Sequence, residues 1–234
     1  MAGRVGNSHG LCTWEEDAGC ESCPDRFRLN CRWDGRLLLA FLMAYSPFMV
    51  CSWFGMAIVA KVSGAWWYLV ANAAFYIFFF GFFEIRILCS HCPFYGGDSG
   101  FTLRCLANHG AMKLWKYRPG PMNRFERASL MVGFAFLGGF PVFANFYGVY
   151  HMATNYAAFG QAALLGMICI AVATLVSGLS FFTVLFVYVC PRCVNFSCPL
   201  NRVPREAMDA YLERNQVMKE AWKEGAWPDS SPKV

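Results

Sequence analysis

Ten of the twelve cysteines lie outside the long apolar stretches of the chain, where their thiols are free to bind metal. They form three groups, each with a C-x2-C pair: Cys12, Cys20, Cys23 and Cys31; Cys89, Cys92 and Cys105; and Cys190, Cys193 and Cys198. A C-x2-C pair lets two thiolates reach one ion from a single tight turn. In a reducing cytosol such a pattern is more typical of metal ligands than of disulfides.

The N-terminal group has enough ligands for a site of its own. Its spacing, Cys12-x7-Cys20-x2-Cys23-x7-Cys31, is symmetric about the central pair. Four thiolates in a short polar segment suit either a tetrahedral zinc ion or a [4Fe-4S] cluster. Residues 1–36 have few aliphatic side chains for a core, so bound metal would supply much of the folding free energy of this segment.

A second site has to be assembled from distant parts of the chain. Cys89 and Cys92 follow one apolar stretch, and Cys190 and Cys193 follow another. If these two helix ends are neighbours in a bundle, the two pairs converge as one four-thiolate site. Cys105 and Cys198 then remain as a substitute ligand, as half of a further site or as plain thiols.

Two histidines accompany the second cysteine group as alternative ligands. His91 lies inside a C-x2-C pair, and His109 follows Cys105. Their ring nitrogens could bind the same metal. As single histidines, however, both are expected to lie at the surface.

The identity of the metal has two alternatives. The Cys-Pro steps at Cys23, Cys92 and Cys198 are similar to the Cys-Pro ending of bacterial ferredoxin runs. The chain has no C-x2-C-x2-C-x3-C run, however, and paired C-x2-C knuckles are equally typical of zinc ribbons. An iron-sulfur cluster and structural zinc therefore both fit the pattern.

The elements that must position these thiols are membrane helices. The chain is 57% hydrophobic and only 15% charged, whereas soluble domains carry about 25% charged residues. Four apolar segments, 37–60, 66–88, 128–150 and 159–189, reach the roughly 20 residues that a spanning helix needs. The predicted fold is an all-α integral membrane protein, a four-transmembrane-helix bundle with a cysteine-rich, metal-binding cap and a C-terminal amphipathic helix.

The basic residues predict the orientation of the chain. Nineteen of the 20 Lys and Arg residues lie in 1–36, 84–127 and 190–234, and only Lys61 lies elsewhere. The positive-inside rule therefore places both termini and the middle loop in the cytoplasm. We predict a multi-pass protein of the cytoplasmic (inner) membrane with a Cys-rich N-terminal segment (1–36), a bundle that includes a Cys loop at 89–127 (37–189), and a Cys-rich tail (190–234).

The tail after Cys198 predicts one amphipathic helix over 205–224. Six residues recur there at helical spacing: Met208, Tyr211, Leu212, Asn215, Met218 and Trp222. This face is expected to pack on the cap or on the membrane surface. The polar, proline-containing residues 227–234 are expected to be disordered.

The plan of four spans with a Cys-rich loop between the second and third resembles that of the Asp-His-His-Cys protein acyltransferases. This loop reads Cys89-Ser90-His91-Cys92 in place of that motif. The acylated nucleophile of that family therefore has no counterpart here, and the resemblance implies topology alone.

The leading hypothesis for function is electron transfer between a soluble donor and the membrane. No histidine lies inside the spans to ligate haem. On the membrane side the electrons would therefore be exchanged with a quinone or with a partner redox subunit or complex. The net charge is +5, and the basic residues flank the apolar spans. This placement predicts contact with lipid rather than binding of nucleic acid.

The alternative is a non-enzymatic membrane scaffold or adaptor with structural four-cysteine zinc sites. An oxidoreductase subunit is one possible enzymatic role.

Overall fold

The computed structural model describes residues 7–15, 18–97, 100–105 and 108–224. Within these residues the fold is helical, with no β-strand and one isolated antiparallel bridge between Thr102 and Met112. The predicted disorder of 227–234 lies outside the described residues. The all-α prediction is confirmed.

Four helices are long and apolar enough to cross a membrane, as predicted. The first is α1 (Gly35–Ser63); the second joins α2 (Trp67–Phe78), a π-helical turn and α3 (Glu84–Ile87); the third is α4 (Arg124–Thr154); and the fourth is α5 (Tyr156–Val184), followed by a second π-helical turn. Their length and composition support a membrane protein.

The second and fourth spans extend further than the apolar pattern predicts. They run over Trp67–His91 and Tyr156–Arg192, rather than ending at 88 and 189. Each passes through a π-helical turn, Phe79–Phe83 or Leu185–Val189, and ends in a single 3-10 turn that carries a C-x2-C pair. The first cysteine of each pair is therefore part of the helix end.

Contacts divide the chain into two compact units. The helical unit comprises Gly35–Phe83 and Ser129–Leu185. The cysteine-rich unit is built from three separate segments, Met1–Asp34, Glu84–Ala128 and Phe186–Val234.

The helical unit packs around a small apolar core with one buried polar contact. Its core residues include Met56, Val59 and Met167. Asn145, which is fully buried, donates a hydrogen bond of 2.9 Å from its side-chain nitrogen to the Thr174 hydroxyl. Such contacts between polar side chains help helices to associate where lipid cannot satisfy them.

The cysteine-rich unit has its own core, to which the C-terminal segment contributes much of the apolar surface. The core contains Leu11, Leu29, Phe94, Val194 and Phe196. All six residues of the predicted amphipathic face are buried against it or near it: Met208, Tyr211, Leu212, Asn215, Met218 and Trp222.

The C-terminal segment forms two helices, so the prediction of one continuous helix is wrong. They are α6 (Arg205–Arg214) and α7 (Gln216–Glu224), and Asn215 between them has a non-helical backbone. The Asn215 side chain donates to the carbonyl of Tyr211 at 2.7 Å and accepts from the backbone N–H of Cys12 at 2.8 Å. The helix breaks because this asparagine bonds to backbone groups.

Candidate metal centres

The three C-x2-C pairs adopt the same local structure. Each forms one 3-10 turn, over Cys20–Ser22, Cys89–His91 and Cys190–Arg192. In each turn the backbone N–H of the second cysteine faces the carbonyl of the first, at 3.3, 2.9 and 3.5 Å respectively. The second cysteine then leaves the turn with extended backbone. The three pairs therefore share one backbone conformation.

The first group, which we call the N-terminal thiol set, consists of Cys12, Cys20, Cys23 and Cys31. All four residues are partly exposed free thiols. Burial, followed by electrostatic repulsion from the other three thiolates, raises the pKa of Cys31 to about 12. The structure therefore brings these four thiols into one neighbourhood.

Two polar side chains flank the N-terminal thiol set. Asn215 donates to the Cys12 sulfur at 3.3 Å. Arg32 donates to the Cys20 sulfur at 3.4 Å and to the carbonyls of Thr13, at 3.0 Å, and Glu15. A donor or a cation near sulfur stabilises negative charge, so the Asn215 amide and the Arg32 guanidinium counter part of the rise in the pKa of Cys12 that burial causes.

The second and third groups meet in what we call the assembled thiol set: Cys89, Cys92, Cys105, Cys190, Cys193 and Cys198. A hydrogen bond of 3.0 Å from the Asn195 side chain to the carbonyl of Leu88 joins the two C-x2-C turns. Burial and then repulsion from Cys193 raise the pKa of Cys92 well above its usual range.

Cys105 belongs to this set through Asn108, a residue that is 8% exposed. The backbone N–H of Asn108 donates to the Cys105 sulfur at 3.1 Å, and its side-chain nitrogen donates to the Cys89 sulfur at 3.2 Å. Cys198 belongs to it as well, since burial and the charges of Cys193 and Cys190 raise its pKa. Neither thiol is isolated from the two pairs.

Backbone amides also point at three sulfur atoms of the assembled set. In each case the donor is the N–H two residues after the cysteine, from Phe94 to Cys92, from Asn195 to Cys193 and from Leu200 to Cys198. Hydrogen bonds of this kind favour the charged form of the acceptor. They counter part of the burial that otherwise keeps these thiols protonated.

The two histidines do not both lie at the surface. His91 is only 3% exposed, so the surface prediction is wrong for this residue. Its Nδ1 lies 2.6 Å from the Gly120 carbonyl, to which it donates, and its Nε2 lies 3.8 Å from the Glu126 carboxylate. His109 is exposed, and its ring stacks on Trp33 with centroids 5.2 Å apart.

The basic loop before α4 is folded into the cysteine-rich unit. The Lys113 ammonium lies over the Trp14 ring, 5.7 Å from its centroid, and Arg118 pairs with Glu126 at 2.6 Å. Trp222 in turn donates to the Pro119 carbonyl at 2.9 Å. These two cations serve internal contacts, and the lipid contact expected of the basic residues that flank the spans stays a prediction.

Metal binding by the thiols also stays a prediction. Across 7–15, 18–97, 100–105 and 108–224, no group of three or more His, Cys, Asp or Glu side chains is arranged to hold a metal ion. The thiols are near enough to influence one another's protonation, and a bound metal would have to draw them closer.

Three residues around the assembled set were not singled out as site residues by sequence reasoning. Asn108 and Asn195 have the side-chain bonds described above, and Glu84 is a buried carboxylate that faces Cys89. The one signal in the sequence was the placement of Glu84 at the end of an apolar span. Nothing in the spacing distinguished the two asparagines from loop residues.

Comparison with protein-family models, curated proteins and solved structures finds no match for this chain.

Proposed function

We propose that the chain is a membrane-bound electron-transfer protein that passes electrons between a soluble donor and the membrane or a partner complex. Its redox centre would be a [4Fe-4S] cluster on the N-terminal thiol set. The observation that carries this proposal is the gathering of four partly exposed thiols from one short segment. Four thiolates are the ligand number of such a cluster, and their exposure leaves room for a soluble partner to approach.

Two side chains beside the N-terminal thiol set, Arg32 and Asn215, would stabilise a cluster that gains negative charge when it is reduced. A cluster of this kind takes up and gives back one electron. The Arg32 guanidinium beside Cys20 and the Asn215 amide beside Cys12 favour the more negative, reduced state. These residues would therefore raise the reduction potential.

The cytoplasm is the proposed location of both thiol sets. Nineteen of the 20 Lys and Arg residues lie in the three segments that contain them, which supports this orientation by the positive-inside rule. A cytoplasmic face would also keep the thiols reduced.

A quinone is our first candidate for the membrane acceptor, and a partner redox subunit is the second. Asn72 in the helical unit is 1% exposed, and neither polar atom of its side chain has a hydrogen-bond partner. An intramembrane amide in this state can donate to a quinone carbonyl. Replacing Asn72 with Leu should then slow quinone reduction by the pre-reduced protein without loss of iron.

A zinc-stapled scaffold is the second candidate function, and the assembled thiol set favours it. Cys89 and Cys190 are buried, and Cys92 and Cys105 pack against the core of the unit. Metal held at these buried thiols would join two distant chain segments, as structural zinc does. Such a protein would present a docking surface without redox activity.

Anaerobic purification in detergent, followed by metal and sulfide analysis and a visible spectrum with and without dithionite, tests the proposal. We expect brown protein that bleaches on reduction, and loss of that colour in Cys20→Ser. The matched control is Cys169→Ser, which removes a thiol of α5 that is outside both sets. Colourless wild-type protein that contains zinc alone would overturn electron transfer and leave the scaffold.

A further inference from the structure

A short antiparallel ribbon lies in the part of the cysteine-rich unit that connects the second and third spans. The backbone N–H of Leu103 donates to the carbonyl of Ala111 at 2.8 Å, and that of Lys113 donates to the carbonyl of Phe101 at 2.7 Å. The antiparallel bridge at Met112 lies between these two bonds. Alternate side chains of such a ribbon point to opposite faces, so it has an inner and an outer face.

The inner face of the ribbon is packed into the cysteine-rich unit. Leu103 is buried, and Ala111 and Trp115 pack against the same small apolar cluster. Both backbone groups of Trp115 bond to the Tyr95 hydroxyl: the N–H donates to it at 2.8 Å, and the carbonyl accepts from it at 2.7 Å. The Lys113 ammonium lies over the Tyr95 ring, 5.9 Å from its centroid. These contacts fix the place of the ribbon within the unit.

The outer face of the ribbon is apolar in its centre and basic at its ends. Met112 and Leu114 are 60% and 50% exposed, and Phe101 at the rim is 86% exposed. Arg104 and Lys116 continue the outer face at its two ends, and both are exposed. Exposed apolar side chains that are grouped in this way mark an interaction site.

The outer edge of the ribbon has no partner strand. Lys113 and Trp115 form backbone bonds towards the inside of the unit, whereas Met112, Leu114 and Lys116 form no backbone hydrogen bond to any residue that the structure describes. Successive residues of a strand direct their backbone groups to opposite edges. These three residues therefore offer N–H and C=O groups along one open edge, which is a template for a further strand.

We propose that the ribbon is a docking site for an extended, acidic segment of a partner protein, which adds to it as a third strand along residues 112–116. The added strand would bond to the open backbone groups, place apolar side chains against Met112 and Leu114, and bring acidic side chains within reach of Lys116 and Arg104. In this mode of recognition the main-chain bonds supply affinity and the alternate side chains supply specificity. The charges at the two ends would fix the register of the added strand.

Two other occupants fit this surface less well. A lipid bilayer would accept the side chains of Met112, Leu114 and Phe101, but it would leave the open backbone groups without hydrogen bonds in hydrocarbon, which is costly. A second copy of the chain would bring its own Arg104 and Lys116 to the same edge, where like charges repel. An acidic strand satisfies both the backbone and the charge. Docking at this edge needs neither bound metal nor electron transfer.

Hydrogen–deuterium exchange on the full-length protein in detergent, resolved to single residues by mass spectrometry, tests the docking site. The probe is a synthetic peptide in which valine alternates with threonine between a glutamate at each end, and the control peptide has lysines in place of the glutamates. The glutamate peptide should slow exchange of the Met112, Leu114 and Lys116 amides by about tenfold or more. The Lys113 amide, which is already bonded to the Phe101 carbonyl, is the internal reference and should change little.

Leu114→Pro closes the open edge to a partner strand. The Leu114 amide has no bond to the described residues, so its loss breaks nothing within the ribbon, and the ribbon backbone of Lys113 is compatible with a following proline. The change should weaken binding of the glutamate peptide about tenfold. The matched control, Leu114→Ala, keeps the N–H and should weaken binding only about threefold. Fluorescence anisotropy of labelled peptide measures both affinities.

Reversal of charge tests the acidic character of the partner. The double variant Arg104→Glu with Lys116→Glu should lose about tenfold in affinity for the glutamate peptide and should gain affinity for the lysine peptide. Equal binding of the two peptides by the wild-type protein would contradict an acidic partner.

Any of three further results would overturn the docking site. The first is unchanged exchange of the three edge amides with the glutamate peptide at millimolar concentration. The second is protection of these amides in nanodiscs of anionic lipid without peptide, which would assign the outer face to the membrane. The third is protection that rises with protein concentration alone, which would assign the edge to a second copy of the chain.

Discussion

The two thiol sets differ in how the chain brings their ligands together. The N-terminal set takes four thiols from one short stretch, and all are partly exposed. The assembled set takes six thiols from two distant stretches, and two of them, Cys89 and Cys190, are buried. The N-terminal set therefore follows from local spacing and lies partly at the surface, whereas the assembled set depends on the fold of the whole unit.

The largest expected effect comes from removing metal from one set at a time. Cys190→Ser with Cys193→Ser should unfold the cysteine-rich unit, because bound metal supplies folding free energy where distant segments meet. Cys20→Ser with Cys23→Ser should loosen only the N-terminal segment. Limited proteolysis and circular dichroism in detergent would distinguish these outcomes. Equal protease sensitivity of the two double variants would contradict the expected difference between the two thiol sets.

Two asparagines allow a smaller, reciprocal test. Asn108→Ala removes donors from the assembled set, and Asn215→Ala removes donors from the N-terminal set. Each change should lower the metal affinity of its own set by about 10- to 100-fold and leave the other set unchanged, so each variant is the control for the other. Chelator competition measures both affinities; a change that spreads to both sets would show that they are coupled.

The protonation of Cys31 gives a third test, on metal-free protein. Burial and the neighbouring thiolates raise its pKa to about 12, so the thiol is neutral at pH 8. Iodoacetamide should modify Cys31 slowly at pH 8 and faster as the pH rises towards about 12, because the thiolate is the nucleophile. Peptide mapping by mass spectrometry follows this one site, and rapid modification at pH 8 would contradict the close approach of the four thiols.

Arg32→Gln should have the smallest effect and should be confined to the N-terminal set. Loss of the charged contact to Cys20 is expected to destabilise the reduced centre by about 1 kcal/mol, or roughly 40 mV for one electron. The potential should therefore become more negative in a spectroscopic redox titration, with no change in the metal content of the assembled set. A shift to a more positive potential would go against the proposed role of the guanidinium.

The length of the apolar segments was enough to predict the four spans, and apolar periodicity was enough to predict the buried face of the C-terminal segment. Met208, Met218 and Trp222 are buried, as their spacing indicates. Asn215 shares that spacing, yet it breaks the helix, because its side chain bonds to the backbone of Cys12. A pattern of side chains along one segment contains no information about a partner so far away in sequence.

The same limit applies to the assembled set. The two C-x2-C pairs could be recognised from their spacing, but the placement of Cys105 depends on Asn108 and on a loop whose course has no periodic signal. His91 was expected at the surface, since nothing in the sequence indicates that its ring reaches the carbonyl of Gly120. Local turns were predictable, and the contacts that join them were not.

The bond between Cys12 and Asn215 also determines when the protein can mature. The two residues are 203 positions apart, and all four long apolar helices lie between them. A ribosome therefore completes all four membrane segments before the N-terminal set acquires this neighbour. The four N-terminal thiols therefore acquire their complete surroundings only after the last of these helices has been synthesised, and a metal ion bound earlier would lack the Asn215 donor.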